Sequence, residues 1–279
     1  MDRTDCAYLI NTTPKYFYLL PLHIALIERY APNLKWPIYV ATEAPELLPT
    51  IPQHVKIITL ALSQEGFLES REGAVAALPE SIKYVFPMQE DFLLEGRPMV
   101  QEISQAFDAL DAAEIVSIRL MPCPGPKGPA LMSPGPKGPA LMSPGPKGPA
   151  LMSPGPKGPA HLIPLDFEID SIVFTYQATI WKRSPYQTFM KTLLHKLEGK
   201  TQAQKNQIAI KVNIAENADG QRILRTFPWK HLAFAREHPH PNAVYLCPWP
   251  YRPTAVVRGL LEPWASELGQ REGFPLNPL

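Results

Sequence analysis

The middle of the chain is a tandem repeat of a ten-residue unit that is rich in proline and glycine. An imperfect first unit, LMPCPGPKGPA, begins at Leu120, and the unit LMSPGPKGPA then occurs three times and ends at Ala160. Proline lacks a backbone donor and favours extended conformations, and one Leu-Met pair per unit is too little apolar surface to form a core. The fold must therefore come from the segments before and after the repeat.

Glycine spacing excludes a collagen triple helix for this repeat. Gly125 and Gly128 are three residues apart but the next glycine is Gly135, whereas a triple helix requires glycine at every third position. A phosphate-binding loop is not indicated either, because the spacing G-x-x-x-x-G-K-[ST] is missing and proline removes the amides that would bind phosphate. We expect residues 122–160 to be a mobile insertion, rich in polyproline II conformation, within a loop.

Deletion of residues 131–160, the three identical copies, is expected to leave thermal stability almost unchanged. The deletion keeps the order of all other segments, and an unpacked insertion contributes no buried surface to the folded state. The melting temperature, followed by circular dichroism, should stay within about 3 °C of that of the parent chain. A fall of about 10 °C or more would show that the repeat is part of the packed structure.

The rest of the composition is that of a globular protein. The chain has 279 residues, of which 45% are hydrophobic, and this is enough for one large domain or two small ones. The formal net charge is +1, whereas proteins that bind nucleic acid usually carry a concentrated basic face. We therefore expect no nucleic-acid partner.

The sequence does not predict a transmembrane segment or a secretion signal. No apolar run approaches the roughly 20 residues that a bilayer requires, and the polar start MDRTD is unlike a signal peptide. Cys6, Cys123 and Cys247 are odd in number and far apart, which favours reduced thiols over disulfides or zinc sites. We expect a soluble cytoplasmic protein, in the bacterial cytosol or, if the source is viral, in the host cytoplasm.

Short apolar runs alternate with longer stretches of helical periodicity on both sides of the repeat. The predicted strands are 6–10, 38–41, 55–59, 84–88, 114–120 and 172–181, and the predicted helices are 16–30, 67–82, 99–110, 186–197 and 255–268. This alternation predicts an α/β fold with a mixed or mainly parallel sheet that helices cover on both faces. Ligands of such folds bind at the carboxyl ends of the strands.

The run 84–88 ends abruptly at an acidic pair, Glu90 and Asp91. A buried strand that ends in carboxylates is suited to binding a divalent cation, because Mg²⁺ prefers oxygen ligands and is often shared between carboxylates and substrate phosphates. Acidic pairs at the end of an element also occur as solvated side chains or as helix caps. The pattern alone leaves both interpretations open.

Five segments carry, in order, a resemblance to a known family: the opening strand with Asn11-Thr12-Thr13, then YVFPMQEDFLL, IRLMPCPGP, FTYQATIWKR and VVRGLLEPWA. They resemble a family of GT-A-type glycosyltransferases found in bacteria and large DNA viruses. That family typically has an acidic pair after an apolar strand, an Arg-Leu-x-Pro loop, a Gln-containing strand that ends in Ile-Trp-Lys or Ile-Trp-Arg, and a late Arg-Gly-x-Trp-like segment. The resemblance covers about residues 1–120 and 161–270.

The resemblance implies a GT-A-like, Rossmann-like domain in two halves. Residues 1–121 would bind the nucleotide sugar, residues 161–279 would form the acceptor side of the same domain, and residues 122–160 would be an insertion between them. The implied reaction is a metal-dependent transfer of a sugar from a UDP- or GDP-sugar to a glycan, lipid or protein acceptor. The resemblance thus assigns the repeat no part in the shared fold.

On the donor side, the resemblance implies that Glu90 and Asp91 bind Mg²⁺ or Mn²⁺ against the donor diphosphate. Asp91 would be the principal ligand and so a catalytic residue, because the metal stabilises charge that develops on the leaving nucleotide. Thr12 and Arg71 would contact the base, the ribose or the diphosphate. Arg71 is equally consistent with a charge on a helix surface.

On the acceptor side, the resemblance points to three residues. Glu216, in NIAENADGQR, would be the general base that takes the proton of the acceptor hydroxyl in an inverting displacement, unless it is a solvated loop carboxylate. Gln177 and Trp181 would line the acceptor site, where an aromatic face can stack on a sugar ring. Trp181 is equally consistent with a place in the core.

Two residues depart from the family pattern. Glu90 stands where the family often has Asp, which lengthens one ligand arm by a methylene, and Pro87 lies within the strand that precedes the pair. Since proline cannot donate to a sheet ladder, we expect Pro87 at an edge or a bulge. The repeat, in turn, enters at the Arg-Leu-x-Pro loop, near the expected acceptor cleft.

Other residues offer rival metal sites. Asp166, Glu168 and Asp170 alternate, so a strand would place them on one face, where they either bind a cation or face solvent at an edge. His238 and His240 flank a proline and are more typical of a loop than of a metal site.

Three functions remain open from the sequence. The first is glycosyl transfer, and the second is a different metal-dependent phosphate chemistry, such as that of a nucleotidyltransferase, at the same acidic pair. The third is a catalytically silent scaffold that binds a nucleotide sugar and recruits a partner through its Pro-rich repeat.

Overall fold

The computed structural model describes residues 3–61, 66–112, 114–120, 160–165, 173–201, 203–204, 218–236, 247–252 and 254–278. The strands are β1 (Cys6–Asn11), β2 (Ile38–Thr42), β3 (Lys56–Thr59), β4 (Tyr84–Gln89), β5 (Leu93–Leu94), β6 (Ile115–Arg119), β7 (Ala160–Pro164), β8 (Thr179–Lys182), β9 (Lys230–Arg236), β10 (Tyr251–Arg252), β11 (Val256–Val257) and β12 (Leu260–Leu261). The α-helices are α1 (Leu20–Tyr30), α2 (Phe67–Ala76), α3 (Val100–Leu110), α4 (Arg183–His195), α5 (Ala218–Leu224) and α6 (Pro263–Glu272), and two 3₁₀ helices span Pro14–Leu19 and Pro45–Leu47.

Eight of these strands form one central sheet in the order β3-β2-β1-β4-β8-β6-β9-β7. The first four pair in parallel, and β8 runs antiparallel to both β4 and β6. Strand β9 is parallel to β6, and β7 is antiparallel to β9. Only β7 and β8 therefore run against the other strands, and the predicted α/β fold with a mixed, mainly parallel sheet is confirmed.

Helices cover both faces of the sheet, as the sequence predicts. Along β1, Tyr8 and Ile10 pack into one apolar cluster with α1, α3 and α6, while Ala7 and Leu9 pack into a second cluster with α2, α4 and α5. This alternation follows from the period of two residues in a strand. Because both faces are covered, the ends of the strands are the places where polar side chains can gather.

Two predicted elements are shorter than expected. The predicted helix 67–82 stops at Ala76, and the guanidinium of Arg183 donates hydrogen bonds to the carbonyls of Ala76 and Leu78 just beyond its last turn. The predicted strand 172–181 is a strand only over Thr179–Lys182, because the backbone of Val173 and Phe174 bonds to a side chain, that of Gln221, instead of to another strand.

The predicted helix 255–268 is wrong in its first half. Residues Val256–Val257 and Leu260–Leu261 form a two-stranded hairpin, and the helix begins only at Pro263. Proline is well suited to the first turn of a helix because that turn does not need its amide hydrogen. The apolar residues predicted as one helix thus belong to two short strands and a later helix.

Pro87 lies in the middle of the sheet and yet at a local edge. Strand β4 pairs with β1 along its whole length, but β8 pairs only with Tyr84 and Val85. Beyond Val85 no strand of the described chain pairs with β4 on the β8 side. The missing donor of Pro87 therefore interrupts no ladder on that side, which matches the expected edge position.

The repeat lies between two strands that flank β9. Arg119, at the end of β6, pairs with Ala233, and Ala160, at the start of β7, pairs with Arg236. Because β9 runs in the same direction as β4, both attachment points lie at the carboxyl edge of the sheet, the edge at which β4 ends. The position of the repeat relative to an acceptor cleft stays a prediction.

Several residues singled out in the sequence lie outside the described part of the chain. They are residues 121–159 of the repeat, Glu216, the alternating acids Asp166, Glu168 and Asp170, and His238 and His240. What the sequence predicts for them stays a prediction. Among the described residues, no helix is both long enough and apolar enough to cross a membrane.

Candidate functional site

The acidic pair lies at the carboxyl end of β4, the last of the four neighbouring strands that pair in parallel. Glu90 and Asp91 directly follow Gln89, and Thr12 directly follows Asn11, the last residue of the neighbouring strand β1. Asn11 and Gln89 are partners in the register of these two strands. Parallel pairing therefore brings Thr12 and the acidic pair to the same point of the sheet edge.

Both carboxyl groups of the pair are held where water solvates them poorly. Burial, and then the nearby charge of Asp91, raise the pKa of Glu90 to about 8, against smaller opposing effects that include the positive charge of Arg71. Burial also raises the pKa of Asp91 to about 6, although the backbone amide of Val256 donates to its carboxylate. Two adjacent carboxyls with raised pKa values are the arrangement that a bound cation would stabilise.

A buried histidine fixes the backbone of the pair, and the sequence analysis missed it. His23 of α1 lies with Nε2 2.8 Å from the hydroxyl of Tyr8 and Nδ1 3.0 Å from the carbonyl oxygen of Glu90. A carbonyl can only accept, so Nδ1 carries the proton and the Tyr8 hydroxyl donates to Nε2. Burial lowers the pKa of His23 to about 4, which keeps the ring neutral and in this tautomer.

Arg71 is a buried cation next to the pair and not a surface charge. Its side chain in α2 is only 6% exposed, and its guanidinium lies 4.2 Å from the ring centre of Phe67 and 4.5 Å from that of Tyr176. Its charge lowers the pKa values of both Glu90 and Asp91. Within the described residues its buried Nε has no hydrogen-bond partner. A forked donor held between two rings in this way is suited to binding phosphate oxygens.

A hydrogen bond between residues far apart in the sequence places Gln177 near the segment that follows the acidic pair. Its Oε1 accepts a 2.5 Å hydrogen bond from the hydroxyl of Tyr251. Tyr251 lies in β10, which pairs with β5 immediately after the acidic pair, and its ring lies 5.5 Å from that of Phe92. The predicted acceptor residue Gln177 and the predicted metal residues are thus linked through β5 and β10.

The segment that carries Tyr176 and Gln177 is held by two buried polar side chains. Gln221 of α5 accepts hydrogen bonds from the amides of Val173 and Phe174 and donates to the carbonyl of Phe174. Arg119 donates a 2.7 Å hydrogen bond to the carbonyl of Val173. Neither residue was predicted to support the site.

Trp181 belongs to the core. It is 0% exposed, and its ring packs against those of Phe174, Tyr186 and His231 at centroid distances of 5.4–5.7 Å. A side chain without exposed surface cannot stack on a bound sugar in this structure. Its packing supports the core interpretation that the sequence left open, and we do not carry the acceptor role forward. Glu216, the predicted general base, lies outside the described residues.

The acidic pair is suited to a divalent cation whose coordination is shared between the protein and a substrate. Within the described part of the chain, no group of three or more His, Cys, Asp and Glu side chains is placed to hold a metal ion. Mg²⁺ sites commonly use one or two carboxylates and complete their coordination with substrate phosphates and water. Glu90 and Asp91 match that donor set, and the buried guanidinium of Arg71 near them is a group suited to phosphate oxygens.

Comparisons with known proteins do not identify a family. No family model matches the sequence, and no curated protein matches it. Among solved structures, one match is the crystal structure of 4-diphosphocytidyl-2C-methyl-D-erythritol synthase from Anaerococcus prevotii DSM 20548, with 6% sequence identity and a TM-score of 0.39. It covers 87% of this chain and 92% of that chain. At this similarity the match carries no argument about function.

Proposed function

We propose that the chain is a metal-dependent glycosyltransferase, which moves a sugar from a UDP- or GDP-sugar to a glycan or glycoconjugate acceptor. The observation that carries the proposal is the acidic pair at the end of β4, two adjacent carboxyls with raised pKa values beside the buried guanidinium of Arg71. A diphosphate with a divalent cation complements this arrangement of charges. The ordered resemblance of five sequence segments to GT-A-type enzymes supports the sugar as the group transferred.

The residues divide the task between donor and acceptor. Glu90 and Asp91 would hold Mn²⁺ or Mg²⁺, which supplies Lewis-acid stabilisation of charge on the leaving nucleotide. Arg71 and Thr12 bind and orient the donor. Gln177 contacts the acceptor, and Glu216 is proposed as the general base of an inverting displacement. In this assignment residues 1–121 form the donor half and residues 161–279 the acceptor half, with residues 122–160 inserted between them.

Mn²⁺ affinity is expected to rise with pH. A carboxylate must lose its proton to bind a metal, and the pKa values of Glu90, about 8, and Asp91, about 6, lie above the usual range. Between pH 6 and pH 8 the affinity should therefore increase, by up to about tenfold per pH unit for each proton displaced. Calorimetric titration of Mn²⁺ at pH 6, 7 and 8 measures this, and an affinity that is flat or falls would contradict the assignment.

The function is tested by incubating the protein with a panel of UDP- and GDP-sugars and Mn²⁺ and identifying the products. Glycosyl transfer to water or to an acceptor releases the nucleoside diphosphate. Nucleotidyl transfer would instead make or break the bond to the α-phosphate and involve pyrophosphate. Binding of nucleotide sugar without any turnover would favour the silent scaffold. The proposal fails if no nucleotide sugar is turned over or if the products are those of nucleotidyl transfer.

A further inference from the structure

The hairpin formed by β11 and β12 has an arginine in a strained position. Arg258 and Gly259 form its two-residue turn with φ angles of 53° and 81°. Positive φ at both positions is typical of a type I′ turn, in which asparagine or glycine is usual at the first position because other side chains crowd the backbone. Within the described chain, Arg258 is the only non-glycine residue with positive φ. Backbone strain of this kind motivates a functional explanation for the side chain.

The base of the hairpin is attached to the acidic pair. The amide of Ala255 donates a 2.8 Å hydrogen bond to the carbonyl oxygen of Asp91, and the next amide, that of Val256, donates to the Asp91 carboxylate. The amide of Glu262 closes the hairpin on the carbonyl of Ala255, also at 2.8 Å. The turn therefore has a defined position relative to Asp91 and projects from the candidate site.

The tip combines positive charge with exposed apolar surface. A Cβ atom on Gly259 would lie 3.4 Å from Nζ of Lys15, so a second cation lies against the turn that carries Arg258. Val257 and Leu260 face each other across the two strands and are 42% and 73% exposed. Adjacent apolar and basic side chains on a protruding element are typical of a contact with the interface of an anionic lipid layer.

We propose that the tip of this hairpin binds an anionic lipid surface and that the acceptor is carried by a lipid. The apolar pair Val257 and Leu260 would enter the boundary between headgroups and acyl chains, and Arg258 and Lys15 would bind lipid phosphates. Since the hairpin is attached to Asp91, this contact brings the headgroup layer to the site. The identity of the acceptor rests on the proposed function, whereas binding to the lipid surface does not.

The inference is tested by sedimentation with vesicles of phosphatidylcholine alone and of equimolar phosphatidylcholine and phosphatidylglycerol. The parent chain should bind the anionic vesicles more tightly than the neutral ones. Arg258→Asn keeps a residue suited to the turn but removes the cation, so its binding should fall about fivefold. Leu260→Ser should weaken binding by about tenfold or more. The second variant distinguishes a lipid surface from free phosphate, because phosphate alone would not depend on the apolar pair.

Two matched variants control for general surface effects. Lys200→Asn removes an exposed cation elsewhere, and Val100→Ser removes an exposed apolar side chain that is 52% accessible. Both should bind anionic vesicles as the parent does. Equal binding of the parent to the two vesicle types, or undiminished binding of Arg258→Asn and Leu260→Ser, would overturn the inference. Mn²⁺-dependent nucleotide binding by the Leu260→Ser variant, measured in solution, separates such a failure from a failure of the proposed function.

Discussion

Replacing Asp91 by asparagine is expected to lower metal-dependent turnover of a nucleotide sugar by about a hundredfold or more. Asparagine is nearly isosteric and its amide oxygen can still accept from the amide of Val256, but it lacks the negative charge that holds a cation. The raised pKa of Asp91 shows that burial disfavours this charge in the free protein. The free energy of unfolding should therefore not fall, and loss of turnover would not reflect loss of folding.

The matched control is Asp108→Asn, an identical change at an exposed position of α3. Turnover is measured as release of nucleoside diphosphate with Mn²⁺, and folding is measured by urea denaturation of the same samples. The control should behave as the parent chain in both assays. An Asp91→Asn variant that turns over donor as fast as the parent would show that the metal assignment is wrong.

Replacing Trp181 by alanine is expected to lower the free energy of unfolding by about 3–5 kcal/mol. The indole is fully buried among Phe174, Tyr186 and His231, and its removal leaves a cavity that the sheet and α4 cannot close without moving. A change of this size is large relative to the stability of an ordinary domain. Urea denaturation gives the value directly.

Trp181→Phe separates the core role of this residue from the acceptor role that the sequence resemblance implies. Phenylalanine fills part of the same space, so this variant should be destabilised less than the alanine variant and remain folded at room temperature. Its KM for the acceptor should equal that of the parent chain. A raised acceptor KM in a variant of nearly parental stability would instead support the acceptor role of Trp181.

The sheet could be predicted because its strands are short apolar runs bounded by turn-forming residues. Burial on both faces makes such runs continuous, and β1, β2 and β4 were each located within about a residue or two. The errors arose where tertiary contacts override local pattern. The 173–178 segment has the composition of a strand, but the backbone of Val173 bonds to the side chains of Gln221 and Arg119, which lie 48 and 54 residues away.

The acidic pair could be recognised in the sequence, but the residues that hold it in position could not. His23 contacts Glu90 across 67 residues and lies on the buried face of a helix, among Leu20, Leu22, Ile24 and Ile27. The sequence does show a histidine among apolar residues of a predicted helix. It does not show which distant group that histidine contacts. The hairpin at Arg258 was hidden for a related reason, since its apolar residues also match helical spacing.

The central claim is that the carboxyl end of β4 binds a divalent cation together with a nucleoside diphosphate. Anomalous diffraction from crystals soaked with Mn²⁺ and UDP, or with Mn²⁺ and GDP, locates the ion without reference to any assay. We predict an anomalous peak within about 2.3 Å of a carboxylate oxygen of Asp91, with phosphate oxygens in the same coordination shell and Arg71 beside them. An anomalous peak away from these carboxylates, or a nucleotide bound away from Glu90 and Asp91, would contradict the account.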